Sequence, residues 1–226
     1  MLKSLFRDKN NPSLPLSFGY KNAWLSLKTA DADAVVNALE LKRVRSASWE
    51  TGIKEAYSYN SSKPNNSGLF ITPPLSEWIL VVGRRIANWW DGDSEEEMIS
   101  LVRSRLSDLS RIFDDAQYFL THRVVEMHVW ARAINGVLVR GYAYIGESGE
   151  TPWNEGPQTE EEKRLGIAFF DHSSPDAEID GYWERKDLSY PDEDYVMQIA
   201  KAWSISPADI EEQFQEPSVG MLGWMD

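Results

Sequence analysis

Alternating and helical spacings of apolar residues divide the chain into several short strands and helices. Residues 23–28 alternate with period two, which predicts a strand with one face towards a core. The apolar runs 69–72 and 78–82 are joined by a Pro-Pro connection and predict a buried strand pair. Shorter apolar runs at 116–120 and 166–170 predict two further strands.

The strongest local pattern is a long β-hairpin over residues 123–145. Asn135-Gly136 stands between two apolar runs, and this dipeptide is typical of a type I′ turn. Pairing the two residues that flank this turn gives a register in which Tyr142 and Tyr144 lie on an apolar face. The opposite face then carries a mixed set of side chains: Glu126, His128, Trp130 and Arg132.

Helical spacing of apolar residues marks five further segments. Residues 31–41 and 48–57 predict short helices, and residues 94–113 predict a long one that opens with a Ser-x-x-Glu capping box. A pair of helices is predicted at about 191–203 and 206–215 near the end of the chain. Their spacing resembles a helix-turn-helix, but the second helix is acidic and would be repelled by DNA phosphates.

These elements predict an α+β fold, with a mainly antiparallel sheet and flanking helices. We interpret residues 1–21 as an N-terminal arm. Residues 22–226 form a single domain with an acidic, helical C-terminal portion. The segments 59–68, 86–93 and 146–162 are rich in turn residues and are predicted to be loops.

Negative charge is concentrated in the last third of the chain. Residues 1–146 hold 18 Lys and Arg against 16 Asp and Glu, whereas residues 147–226 hold 5 against 20, a net charge of −15. Such a surface repels nucleic acid and anionic membrane, and it attracts a basic partner. The alternative interpretation is that the acidic residues only keep the protein soluble.

Cysteine is absent, which excludes disulfides, zinc–thiolate sites and iron–sulfur clusters. The N-terminal 21 residues mix charges and prolines and do not resemble a signal peptide, and no apolar run is long enough to span a bilayer. We therefore expect a cytoplasmic protein. Neither phosphate-binding glycine motif occurs, and no cofactor is predicted.

The first candidate site lies at the start of the hairpin. An early start of the strand would put His122, Glu126 and His128 on one face, as a metal or acid–base set. The two histidines would lie about 20 Å apart along an extended strand, so no metal site is predicted. Glu126 and His128 could flank a ligand, with Arg132 beside them. The alternative is a polar strand face with ordinary hydrogen bonds.

The second candidate site is a surface of exposed tryptophans. The chain has ten tryptophans, and Trp89, Trp90 and Trp153 fall in predicted loops, the first two near Arg84 and Arg85. Exposed aromatic residues of this kind suit a protein partner or an apolar ligand. The alternative is that they fold back as loop anchors. His172, flanked by acidic residues, has no nucleophile motif near it and is interpreted as a surface residue.

The run from Asp115 to Glu126, the Trp130-Ala-Arg-Ala segment and the Tyr142-x-Tyr-x-Gly-Glu segment resemble a family of uncharacterised bacterial cytoplasmic proteins. The resemblance is best over residues 112–165. It implies a bacterial, intracellular setting and attaches no activity to the chain.

Two functions are consistent with these features. The favoured one is a non-catalytic protein-binding module, of immunity or regulatory type, that recognises a basic partner. The alternative is a small-molecule-binding protein or enzyme that uses the polar face of the 123–145 hairpin, with Glu126 as base or ligand anchor. A cleft lined by Glu126 and His128 would favour the alternative.

Overall fold

The computed structural model describes residues 12–58, 68–84, 86, 94–166, 168–172 and 174–225. Within these ranges, nine strands form one antiparallel sheet. The strands are β1 (Asn22–Leu27), β2 (Lys42–Ala47), β3 (Leu69–Ile71), β4 (Ile79–Val82), β5 (Asp115–His122), β6 (Met127–Ile134), β7 (Val137–Ile145), β8 (Glu150–Glu155) and β9 (Gly220–Trp224). Their order across the sheet is β2-β9-β3-β4-β1-β5-β6-β7-β8.

Six α-helices accompany this sheet in the described ranges. They are α1 (Ala32–Ala38), α2 (Trp49–Ala56), α3 (Glu95–Phe113), α4 (Glu160–Arg164), α5 (Glu193–Trp203) and α6 (Ile210–Gln213). None of the helices in the described part of the chain is long and apolar enough to cross a membrane. The predicted α+β class, with an antiparallel sheet and flanking helices, is confirmed.

Both faces of the sheet are covered by helices. One face packs against α1 and α3, and the other packs against α2 and α5. Strand β1 lies near the centre of the sheet, so Trp24 and Leu25 are both buried although they point to opposite faces. The prediction of a single core face for residues 23–28 is therefore too narrow, because a central strand between two helical layers is buried on both sides.

The hairpin differs from its prediction at both ends. Residues 123–126 form a turn between β5 and β6, so the strand begins at Met127. Both Asn135 and Gly136 have positive φ, as a type I′ turn requires. The register then shifts by one residue past Arg132, because β7 holds an extra residue there.

The shifted register places the two tyrosines of β7 on the face opposite to the predicted one. Tyr142 pairs with Trp130, and Tyr144 pairs with His128. The rings of Trp130 and Tyr142 stack with centroids 4.4 Å apart. A one-residue bulge exchanges the two faces of every residue beyond it, which is why the uniform register predicted from the turn fails here.

The segment 146–162 is not a simple loop. It contains β8 at the edge of the sheet and then α4, which begins with a capping box between Thr159 and Glu162. The predicted strand 166–170 is reduced to one bridge between Phe169 and Ser189. Strands β2 and β9 were not predicted, since β2 is exposed and charged and β9 contains two glycines.

A buried ion pair joins α4 to the sheet. Nε of Arg140 lies 2.9 Å from Oε1 of Glu162, and the two side chains are 3% and 0% exposed. The same carboxylate accepts hydrogen bonds from Trp130 Nε1 and from the backbone N–H of Thr159. Both oxygens of this buried carboxylate thus accept hydrogen bonds, as a buried charge requires.

The predicted N-terminal arm packs against the domain over its described part. Ser13 and Ser218 exchange backbone hydrogen bonds, and the Ser13 backbone sits beside α2, whose Trp49 N–H bonds to the Ser13 hydroxyl. Phe18 is buried among the aromatic residues beneath α5. The remaining residues of the arm, 1–11, lie outside the described ranges.

Candidate binding site

A cleft of about 690 Å³ opens at one end of the sheet, where two turns meet the start of α5. The turns are residues 123–126 between β5 and β6, and residues 146–149 between β7 and β8. The segment 190–193 leads into α5 and forms a third wall, and His172 forms part of the rim. We call this site the turn cleft. Its volume falls within the range of sites for small ligands.

Glu126 is held at the cleft by an unusual backbone conformation. Its φ is +49°, and its carbonyl oxygen accepts a hydrogen bond of 3.0 Å from the N–H of Gly146. The Glu126 side chain packs directly on Gly146, where an added Cβ would lie 2.4 Å from Oε2. The contact needs a glycine at 146, and it fixes the carboxylate between the two turns.

His128 is a deeply buried residue of the cleft, at 3% exposure. Its Nδ1 lies 3.2 Å from Oγ1 of Thr121, the residue of β5 that pairs with it across the two strands. Burial lowers the pKa of His128 to about 4, although the charge of Asp192 opposes this effect. The ring is therefore neutral at pH 7. Nε2 has no hydrogen-bond partner among the described residues.

Tyr144 stands beside His128 on the same face of the sheet. Burial raises the pKa of its hydroxyl to about 12, with further increases from the nearby Tyr190 and Glu126. The rings of Tyr144 and Tyr190 lie 6.1 Å apart and form the aromatic wall of the cleft. Within the described ranges, the Tyr144 hydroxyl makes no hydrogen bond to protein.

The charged side chains of the turn cleft are mostly acidic. Its lining includes four carboxylates and one guanidinium, which together give a net charge of −3. They belong to Glu126, Glu147, Asp192, Glu193 and Arg123. The guanidinium lies 3.9 Å from the Glu193 carboxylate, which is a loose ion pair. In the described part of the chain, no three acidic or histidine side chains are close enough to hold a metal ion.

The structure separates the predicted hairpin residues into three environments. Glu126 and His128 line the turn cleft together. His122 pairs with Met127 and so faces the other side of the sheet, and the three residues do not share a face as predicted. Burial lowers the pKa of His122, and the charge of Arg84 lowers it further.

Arg132 is a structural residue rather than part of the cleft. It makes a two-pronged ion pair with Asp115, with Nη2 and Oδ2 2.6 Å apart, and lies over the ring of Trp203. The pairing follows from the register, because Asp115 and Arg132 occupy neighbouring strands near the C-terminal end of α5. Arg132 therefore does not stand beside Glu126 and His128 in the cleft, as the hairpin pattern predicts.

The predicted tryptophan surface is not found in the described residues. Trp153 lies on β8 and is 4% exposed, since it packs against Gly141 and the core beneath α3. It is a core residue and not an exposed anchor. Trp89, Trp90 and Arg85 lie outside the described ranges.

An exposed aromatic surface exists instead in the segment 171–190. Trp183 is 39% exposed and Tyr190 48% exposed, and both rings pack on Phe170. Trp183 also lies over the ring of His172, with centroids 4.3 Å apart, so this surface is continuous with the turn cleft. Ile179, in the same segment, is 59% exposed. We call Ile179, Trp183 and Tyr190 the acidic aromatic patch, because residues 171–187 hold six acidic and two basic side chains.

Glu126 and His128 line one cleft, whereas most of the residues around them are not predicted by the sequence. Tyr144 was assigned to the wrong face because of the bulge, and Tyr190 and Asp192 come from a segment more than 40 residues away along the chain. One signal was available, namely aromatic residues placed within an acidic run at 169–190. Such a combination in a connecting segment is typical of a binding surface.

The fold and the site define an α+β protein whose acidic, ligand-sized cleft lies at the end of a two-sided antiparallel sheet. Comparison of the chain with protein-family models, with curated proteins and with solved structures finds no match. Function is therefore argued from the cleft and the patch themselves.

The buried neutral His128 gives a testable pH dependence. The unfolded chain takes up the proton at the ordinary pKa of 6.5, and the folded protein only near 4. We expect the free energy of unfolding to fall as pH decreases from about 6.5 to about 4, by up to about 3 kcal/mol, and this contribution to be complete above pH 7.

Urea denaturation at pH 7.5 and 4.5 measures this effect. The His128→Gln variant should lose that part of the pH dependence, whereas His172→Gln, at an exposed ring, should keep it. A His128 imidazole that titrates near 6.5 in the folded protein by NMR would contradict the prediction.

Proposed function

We propose that the protein is a non-catalytic, cytoplasmic protein-binding module that recognises a basic partner protein, in an immunity-type or regulatory role. The observation that carries the proposal is the acidic aromatic patch. Trp183 and Tyr190 are exposed together, and tryptophan and tyrosine contribute most often to the centres of protein interfaces. Acidic side chains surround them, which favours a partner of opposite charge.

The distribution of charge supports the same proposal. Exposed carboxylates continue around the patch through Glu178, Asp180 and Glu184, and the turn cleft beside it adds a net charge of −3. A rim of one sign raises the association rate with an oppositely charged protein and makes it depend on salt. Nucleic acid and anionic membrane are disfavoured by the same field.

A second candidate function is small-molecule binding, or catalysis, in the turn cleft. The observation that favours it is the convergence of Glu126 and His128 on one cavity of ligand size. Glu126 and the neutral His128 are both proton acceptors, so either one could serve as a base towards a bound substrate. This candidate predicts a ligand that binds without any protein partner.

The protein-binding proposal is tested by replacing Trp183 with alanine. We expect the affinity for a captured basic partner to fall about 30-fold or more, as for the loss of a tryptophan at the centre of an interface. The partner is captured from bacterial lysate at low salt, purified and titrated against wild-type protein, Trp183→Ala and Ile112→Ala by calorimetry.

Ile112 is the matched control, because it is 59% exposed on α3 on the other side of the sheet. Equal loss of affinity in both variants, or none in Trp183→Ala, would remove the patch from the interface. Thermal unfolding of each variant establishes that the fold is intact.

A further inference from the structure

The turn cleft is lined by polar atoms that make no hydrogen bond to the described residues of the protein. Nε2 of His128 belongs to a side chain that is 97% buried, yet it meets no partner among the described residues and borders the cleft. The Tyr144 hydroxyl also makes no hydrogen bond to the described residues, and the Glu126 side chain lines the same cleft. Neither atom is sealed from solvent, so a ligand in the cleft can bond to both without displacing a protein contact.

Both neutral tautomers of His128 are compatible with the 3.2 Å contact to Thr121, because the threonine hydroxyl can donate to Nδ1 or accept from it. With the proton on Nδ1, the hydroxyl accepts it, and Nε2 keeps a lone pair towards the cleft. In that tautomer, a ligand in the cleft supplies a donor to Nε2.

The charge of the cleft favours a cationic donor. Four carboxylates face one guanidinium, and Arg123 is already near Glu193 at 3.9 Å. An anionic ligand would meet a net charge of −3, whereas a cation would reduce the repulsion among the carboxylates.

We infer that the turn cleft binds the guanidinium group of an arginine side chain that the basic partner presents, with Glu126 and Nε2 of His128 as its acceptors. The inference rests on the proposed function in naming a partner protein as the source of this group. The patch would hold the surface of the partner, and the cleft beside it would hold one side chain.

Arginine fits both the acceptors and the aromatic wall of the cleft. Its planar group has five N–H donors, enough for the Glu126 carboxylate, His128 Nε2 and the Tyr144 hydroxyl together. It also stacks on aromatic rings such as the Tyr144 and Tyr190 wall. A quaternary ammonium would gain the ring contact but has no proton to give to Nε2.

The probes are N-acetyl-arginine amide, N-acetyl-citrulline amide and tetramethylammonium, added to protein labelled with ¹⁵N at histidine. We expect the arginine probe to bind in the millimolar range, as for a single residue. It should shift the Nε2 resonance of His128 more than that of His122. Citrulline, which keeps the shape but not the charge, and tetramethylammonium should each bind about tenfold more weakly or not at all.

Two variants test the acceptors separately. Glu126→Gln keeps the size of an exposed turn side chain, so the fold is retained, and it should weaken the arginine probe about tenfold. His128→Phe removes Nε2 and should have a similar effect; its thermal unfolding is measured alongside. Glu96→Gln, on an exposed turn of α3 away from the cleft, is the matched control and should bind like wild type.

Failure of this inference can be told from failure of the proposed function. If the captured partner loses affinity in both Trp183→Ala and Glu126→Gln, the inference is supported. If it loses affinity only in Trp183→Ala, the partner does not use the cleft and the inference is overturned, while the binding proposal stands. A partner insensitive to both variants overturns both proposals. Absence of any His128 shift with the arginine probe overturns the inference regardless of the partner.

Discussion

Glutamine in place of Glu162 is expected to lower the free energy of unfolding by about 3–5 kcal/mol, because the Arg140 guanidinium would remain buried without its counter-charge. Trp130 and Thr159 would also exchange a carboxylate acceptor for a weaker amide. For a chain of this length, such a loss corresponds to a decrease in Tm of roughly 6–20 °C. Urea denaturation and calorimetry at pH 7 measure both quantities.

Glu160→Gln provides the control for this result. Glu160 lies in the first turn of the same helix, is 77% exposed and pairs only with Lys163 at the surface. Its replacement should leave the free energy of unfolding close to that of the wild type, because exposed ion pairs contribute little to stability. If the two glutamine variants have equal stability, the buried ion pair does not anchor α4.

The second large effect is expected for Gly156→Ala, at about 2–4 kcal/mol of lost stability. Gly156 has φ of +73°, and a Cβ there would lie 2.3 Å from the carbonyl oxygen of Val139, which belongs to the bulged stretch of β7. The backbone carbonyl cannot rotate away as a side chain could, so the strain adds to the cost of the left-handed conformation.

Gly166→Ala separates these two contributions. Its φ is +69°, but no atom lies within 4 Å of the added Cβ, so only the conformational cost of roughly 1–2 kcal/mol remains. The variants are compared by urea denaturation under identical conditions. Equal losses at both positions would show that the contact with Val139 is unimportant.

The hairpin illustrates what the sequence can specify. The Asn-Gly turn is a local signal, and it predicted the position of the turn because the dipeptide itself accepts positive φ at both residues. The bulge next to it has no local signal. It depends on Gly156, which contacts Val139, and on Glu162, which binds Arg140, and both lie on later elements.

The candidate site also combines residues that a local pattern predicts with residues that distant segments bring in. Glu126 and His128 were predicted as neighbours from their spacing on one strand, but Glu126 belongs to a turn and reaches the cleft through its left-handed backbone. Glu126 still lines the same cleft as His128, because the turn packs the Glu126 side chain against Gly146. Tyr190 and Asp192 arrive by packing of a distant segment, which a pattern in one sequence does not reveal.

The order of the strands has a consequence for how the protein is made. Strand β9, near residue 224, is inserted between β2 and β3, which are synthesised more than 140 residues earlier. That half of the sheet therefore cannot close until β9 has been synthesised and has left the ribosome, and until then β2 and β3 have unpaired edges. The half built from β5 to β8 joins sequential neighbours, so it is the natural place for folding to begin.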